Sequence, residues 1–382
     1  MCVTRCFDWW SRLLAESERS ARDDWAGLSR RGFLAMAAVP LVAPGCATAR
    51  PSSPATRALL DRTVSVDLHS HPSLFPSLAS DTLAGHRQRA EEGGVRILTL
   101  AAVADAVVLG RTPTGGLHAT REPRPGELFE STRRQLDMLT SRSRDAGMRT
   151  LRSADDVAGV EPRGVNGLLA VEGCDFLEGR LDRIPQAYDR GVRSFQLVHY
   201  RVNELGDIQT EAPRHGGLTD FGRQTVRELN RLGVVVDVAH ATFSVVKGVV
   251  DTTSQPIVLS HSNIQDASGW ARFITVEHAR LVAGTGGLIG AMPIIFGNRG
   301  DNIDGYVNHL SRLIDAVGVD HVGIGTDMDG IGPGAIFTSY GRWPSLAAAL
   351  LDRGYRPDDV AKVLGGNFRR VFAKVAGGVT AS

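Results

Sequence analysis

The chain has 382 residues, a formal net charge of +1, and 42% hydrophobic against 22% charged residues. That balance supports a large buried core and argues against a nucleic-acid binder, which would usually show a basic stripe, while the length suits one barrel-sized enzyme domain with extras. Cys2, Cys6 and Cys46 lie near the start and Cys174 stands alone beyond them, so a mature domain holds no internal disulfide and must rest on its core.

The first 49 residues read as an address. Ser29-Arg30-Arg31-Gly32-Phe33-Leu34 has the form of a twin-arginine export signal, followed by an uncharged, mainly apolar run to Gly45. The run falls short of the about 20 residues that span a bilayer but suits a signal-peptide core. Cleavage after Ala47-Thr48-Ala49, or acylation of Cys46 at a lipoprotein junction, are the two processing expectations. Either places the protein outside the cytoplasm, periplasmic or extracytoplasmic, the second with a lipid anchor. Residues 50–63 then read as a linker and approach, 64–376 as the folded domain and 377–382 as a tail.

From residue 64 onward, short apolar runs alternate with helical patterns, as in repeated βα units. The predicted strands cover 64–68, 96–103, 167–171, 194–198, 234–239, 257–260, 287–292 and 321–325. Between them the helical patterns end on glycine where a left-handed cap is wanted, at Gly191, Gly233 and Gly318. A Thr219 cap opens the helix predicted before Gly233. Eight such units argue for a closed (β/α)8 TIM-like barrel, with a doubly wound sheet as the alternative.

Strands buried on both faces should read apolar throughout, so polar residues at their carboxyl ends need a reason. Strand one runs into His69-Ser70-His71, strand three into Glu172, strand four into His199, strand five into His240, strand six into His261 and strand eight into Asp327. Singly, each has a bland reading: a structural histidine, a helix cap, a turn at Asp329-Gly330. Together they gather at the end where barrel enzymes keep their chemistry. His69 and His71 alternate along a strand and so project to one side, where both can chelate one ion. Glu172 and two further histidines suit a second ion. A carboxylated lysine bridge is excluded, because Lys247, Lys362 and Lys374 avoid the strand ends. His86, His118, His215, His278, His309 and His321 fall in helices, in loops or at the opposite end, and read as structural.

These segments carry a resemblance. Val171-Glu172-Gly173, Gly217-Leu218-Thr219-Asp220-Phe221-Gly222, Asp237-Val238-Ala239-His240, Ser260-His261-Ser262, Gly325-Thr326-Asp327-Met328-Asp329-Gly330 and Gly365-Gly366-Asn367-Phe368 are similar, collinearly from about residue 64 to 373, to the membrane (renal) dipeptidase family. The resemblance implies a zinc-dependent dipeptidase that also accepts a D-residue at the carboxyl end. It implies two zinc ions: one held by His69 and His71, the other by His240 and His261, with Glu172 bridging. It further implies Asp327 as acid/base, His199 as the histidine touching substrate near the scissile carbonyl, and Arg272 as the clamp on the substrate carboxylate. One position departs, since the family has aspartate where this chain has His71. That makes the site one unit more positive while keeping a good zinc ligand.

The reaction expected is amide hydrolysis by water activated between two zinc ions about 3.5–4 Å apart. The alternatives are a related amidohydrolase acting on N-acyl amino acids, cyclic amides or lactones, and a catalytically silent envelope binding protein. The expected partner is a small peptide substrate, with no nucleic acid; membrane attachment through Cys46 and a homodimer are further expectations.

Overall fold

A computed structural model describes residues 53–75, 80–112, 116–294, 302–331 and 335–377. The export signal, the cleavage site and Cys46 lie outside the described residues. What reads as an approach segment begins to fold early. Ser53 Oγ accepts from Thr56 N–H, Pro54 sits at the first turn, and Pro54–Arg62 is a helix. That helix packs on the helix Trp343–Asp352.

Eight parallel strands follow in chain order around one sheet. They are β1 (Ser65–Ser70), β2 (Val95–Val103), β3 (Asn166–Glu172), β4 (Val192–Gln196), β5 (Val235–Asp237), β6 (Val258–Ser262), β7 (Leu288–Ala291) and β8 (Val322–Ile324). Each of the eight overlaps its predicted run, and consecutive strands are neighbours, as in a TIM barrel. The ring closes through a single bridge between Ser70 and Met328. There Asp327 N–H donates to His69 O at 2.9 Å and His71 N–H to Met328 O at 2.8 Å. Two small additions escape the periodicity. The strand Arg149–Thr150 pairs with the start of β3, and a hairpin joins Leu109–Arg111 to Leu117–Ala119. Two or three residues are too few to show an alternating pattern.

The helices are punctuated as the composition suggests. Thr219 Oγ1 accepts from Gly222 N–H at 3.0 Å and caps the helix Asp220–Arg231, beyond which Gly233 takes φ 65°. Among the described residues no helix is long and apolar enough to cross a membrane. At the amino-terminal end of the barrel, Val66, Ile97, Leu168, Val235, Val258 and Leu288 form one cluster with the final helix Asn367–Gly377, through Phe368, Val371 and Phe372. The Gly-Gly-Asn-Phe motif is the latch for that plug. A side chain at Gly365 would sit 2.1 Å from Val64 O, and Asn367 Nδ2 donates to Val319 O and Val322 O at 2.7 and 2.9 Å. The opposite end of the barrel stays free for chemistry.

Candidate metal centre

At the carboxyl end two buried aspartates set the strand ends before any functional residue appears. Asp67 in β1 accepts from the N–H of His69 and Thr326, and from the hydroxyls of Thr326 and Tyr340. Burial pushes its carboxyl up to about 6 against those hydrogen bonds. Asp237 in β5 likewise accepts from Ala239 N–H and Ser260 N–H, both at 3.0 Å. Past these anchors the backbone turns sharply: His240, Asp327 and Asp329 adopt φ of 66°, 49° and 61°. Non-glycine residues there cost about 1–2 kcal/mol each, which the surrounding bonds must offset. Gly330 keeps the turn clear, since a Cβ would lie 2.1 Å from Asp327 Oδ1 and 2.7 Å from His71.

The predicted ligands converge on Glu172, at the end of β3. Its Oε1 lies 3.3 Å from His69 Nε2, 3.2 Å from His240 Nε2 and 3.6 Å from His261 Nε2. Its Oε2 lies 3.2 Å from His71 Nε2 and 3.4 Å from His199 Nε2. Asp327 Oδ1 stands 3.3 Å from His71 Nε2 on the far side. All of these are buried except Asp327, whose side chain keeps 17% exposure toward the cavity. The sets His69–His71–Asp327, His69–Glu172–His261 and Glu172–His199–His240 each place three ligand atoms within 4.8 Å.

The donor chemistry fits cations. His71 Nδ1 is committed to Ala101 O at 2.9 Å and His199 Nδ1 to Asp105 Oδ1 at 2.7 Å, while His261 Nδ1 meets Ser260 Oγ at 2.9 Å. Where such a ring is neutral, Nε2 presents a lone pair, the arrangement that outer partners impose on metal-binding histidines; His199, favoured in the charged form beside Asp105, instead keeps Nε2–H as a donor. The Nε2 atoms face one another at 3.1 Å for His69 and His71, and at 3.0 Å for His240 and His261. At that distance each pair either shares one proton or, with both rings neutral, aims two lone pairs at a cation.

The electrostatics divide the centre. Burial would raise Glu172, yet His199, His69 and His240 outweigh it and hold the carboxyl well below the ordinary range. Burial, aided by the charge of Arg272, pushes His240 and His261 well down, which keeps both neutral. Burial also opposes charge on His71, but its bonds to Asp327 and Glu172 prevail and raise it to about 10. The departure from the resembled pattern thus falls on a histidine held between two carboxylates, Glu172 and Asp327.

A cavity of about 260 Å³ opens over this cluster. One wall is polar, with His71, Glu172, His199, His240, Arg272 and Asp327. The rest is largely apolar, with Phe75, Leu109, Leu117, Trp270 and Met292, the two leucines coming from the hairpin. Arg272 follows β6 and is 2% exposed. Its Nη1 donates to Gln209 Oε1, and its Nη2 has no hydrogen-bond partner among the described residues. An unpaired, buried guanidinium edge at a cavity wall is suited to an arriving carboxylate.

The seven residues predicted from strand ends therefore share one site, with Arg272 on its rim. Sequence reasoning missed Asp105, two residues past β2, although an acid after a nine-residue buried strand is the signal that singled out the others. It also missed the tie through Asp329, whose oxygens accept from Ser73 N–H, Ser80 N–H and Oγ, and His86 Nε2. His86 is structural, as expected, and it helps pin the loop after β1 to the loop after β8. The other five histidines set aside from the sequence line no part of the cavity.

Comparison with known proteins places this geometry. The profile of the family described as membrane dipeptidase (peptidase family M19) matches residues 55–379. The dipeptidase aclJ of Aspergillus oryzae is 30% identical over 222 residues, 56% of this chain and 52% of that protein. The dipeptidase tcpJ of Claviceps purpurea is 30% identical over 237 residues, 60% and 55% of the two chains. The match thus spans about half the length of these relatives. Among solved structures, a metallo peptidase from Rhodobacter sphaeroides, liganded with a phosphinate mimic of L-Ala-D-Ala, shares the fold. Its TM-score is 0.68 at 22% identity, covering 82% of this chain and 99% of that one. The probable dipeptidase PvdM from Pseudomonas aeruginosa does so at TM-score 0.70 and 20% identity, covering 84% and 98%.

Proposed function

The chain belongs to the membrane dipeptidase family, and from that premise we propose that it is a metal-dependent dipeptidase that accepts a D-residue at the carboxyl end. The observation that carries this reading is the convergence of five imidazole Nε2 atoms on Glu172, with Asp327 against His71, beneath a cavity that holds the unpaired edge of Arg272.

His69, His71 and Glu172 would hold one ion, Glu172, His240 and His261 the other, and the N,O donor set suits zinc. Glu172 would serve both ions, a reading supported by the imidazoles of both proposed ligand sets lying within 3.6 Å of its carboxylate. Metal ions at these ligands supply Lewis acidity and a water made acidic near neutral pH. Arg272 binds the terminal carboxylate of the substrate and so fixes the register of the short peptide. His199, flanked by Asp105 and Glu172, is favoured in the charged form despite its burial, so its Nε2–H donates to the oxygen of the scissile carbonyl. Asp327, the most exposed carboxylate of the cluster, takes the proton of the attacking water and returns it to the leaving amine. Export by the twin-arginine route, cleavage after Ala49 or acylation of Cys46, and dimerisation belong to the same proposal. They rest on the motifs in the sequence and on the resemblance.

The test is metal analysis of the purified protein together with a panel of L,L- and L,D-dipeptides, tripeptides, N-acyl amino acids and lactones. Two equivalents of zinc and preference for free dipeptides are expected. Less than one equivalent with no hydrolysis would defeat the reading, and preference for N-acyl amino acids or lactones would move it to a related amidohydrolase.

A further inference from the structure

Asp105 has no part in the reaction as assigned above, yet it is fully buried and both its oxygens serve one pair of residues. Oδ1 accepts from His199 Nδ1–H at 2.7 Å, and Oδ2 accepts from Tyr200 N–H at 3.1 Å. The carboxylate reaches across the end of β3, where Ala104 N–H donates to Glu172 O at 2.9 Å. Its backbone is therefore tied to the strand that carries the proposed bridging ligand.

The charge of Asp105 is directed rather than shared. The neighbouring acid, Asp175, is paired with Arg201 at 3.2 Å and with Asn203 Nδ2 at 3.1 Å. The ion pair that Asp105 makes among the described residues is with His199. His199 needs such a partner. The strand β4 ends at Gln196, and the segment leading on to Asn203 is irregular, so no sheet pairing sets the orientation of the ring. A buried carboxylate is expensive to desolvate unless its hydrogen bonds are well made. Here both bonds go to residues that line the cavity, His199 and Tyr200.

We propose that Asp105 is a positioning residue for hydrolysis: it holds His199 Nδ1–H outward, so that Nε2 is the atom presented to the scissile carbonyl, and anchors Tyr200 beside it. The proposal rests on the substrate-contacting role assigned to His199. A carboxylate behind a working imidazole fixes which ring nitrogen faces away from the substrate and how the ring is turned, as in other Asp–His pairs.

The test is a double-mutant cycle between Asp105 and His199 on the metal-loaded enzyme, read as kcat and KM on a good dipeptide, with zinc content and thermal melting measured alongside. Asp105→Ala should lower kcat by about 10–100-fold, the usual effect of losing such an outer partner, with KM and zinc content little changed. The same substitution made in His199→Ala should have almost no further effect on kcat. Asp105→Asn keeps the volume and one acceptor, should lower kcat less than Asp105→Ala, and carries the test if the alanine variant fails to fold. Wild-type kcat in the folded Asp105 variants, with His199→Ala inactive, would overturn the proposal alone. So would an equal fractional loss in both backgrounds, or a loss that follows zinc content. Wild-type kcat in His199→Ala would overturn the role of His199 and the proposal with it.

Discussion

At the scale of single residues, the proposed roles separate into turnover and binding. Asp327→Asn keeps the side-chain volume and removes the proton acceptor. It should lower kcat by about 10²–10⁴-fold with both metals retained, which parallel kinetics and metal analysis would check. Arg272→Met should act on binding instead. Losing a hydrogen bond to a charged group forfeits about 1.5–3 kcal/mol, so kcat/KM should fall by about 10–100-fold for free dipeptides. A C-terminally amidated dipeptide, lacking the charge that Arg272 meets, should be hydrolysed equally poorly by both proteins. If both substrates lose alike, Arg272 shapes the wall and does not clamp the carboxylate.

At the scale of elements, the eight strands were legible because a strand covered on both faces has to be apolar, and polar residues at its end then stand out. His69, Glu172, His240 and His261 belong to that class, each at or just past the end of a buried strand. The hairpin Leu109–Ala119 was not legible, because its cross-strand pairing spans only three residues. Asp105 was legible in principle, but no histidine or motif beside it drew attention. Asp67 reads from the sequence as one more polar residue next to His69, and only the fold shows it accepting four hydrogen bonds. Two partners are backbone N–H groups on Oδ1, and the two on Oδ2 are hydroxyls that would have to turn from donating to accepting opposite an amide NH₂, with the charge-assisted bonds lost. Asp67→Asn should therefore destabilise the protein by about 1–3 kcal/mol, measurable by denaturant titration, even though it removes a carboxyl that burial disfavours when charged.

At the scale of the whole molecule, stability should respond to pH and to metal. Burial, then the charge of Asp105, raise Asp175 to about 7 against the pull of Arg201 and Asn203. The unfolded chain ionises at about 3.9, so between these values the folded state holds a proton that the unfolded state has released. The stabilisation from this group is full below about pH 4 and is lost as pH rises through about 7. Asp175→Asn should flatten that decline, which unfolding measured at fixed metal concentration across the interval would reveal. An unchanged pH profile would show that Asp175 stays ionised beside Arg201. Chelation should lower the melting temperature, because ligands scattered over most of the strands bind ions only once the barrel has formed.

The ring of strands closes through one short joint, where Asp327 N–H meets His69 O and His71 N–H meets Met328 O. That joint lies between the residues assigned to the first ion and to proton transfer, so cargo and clasp coincide. A cation gripped by His69 and His71 would act as a rivet across the place where the hoop is most readily sprung. The amide protons of His71 and Asp327 should then exchange with deuterated solvent faster once the ions are stripped, while those deep in β2 and β3 barely change. Slow exchange at both amides in the stripped protein would mean that the hoop holds shut without its rivet.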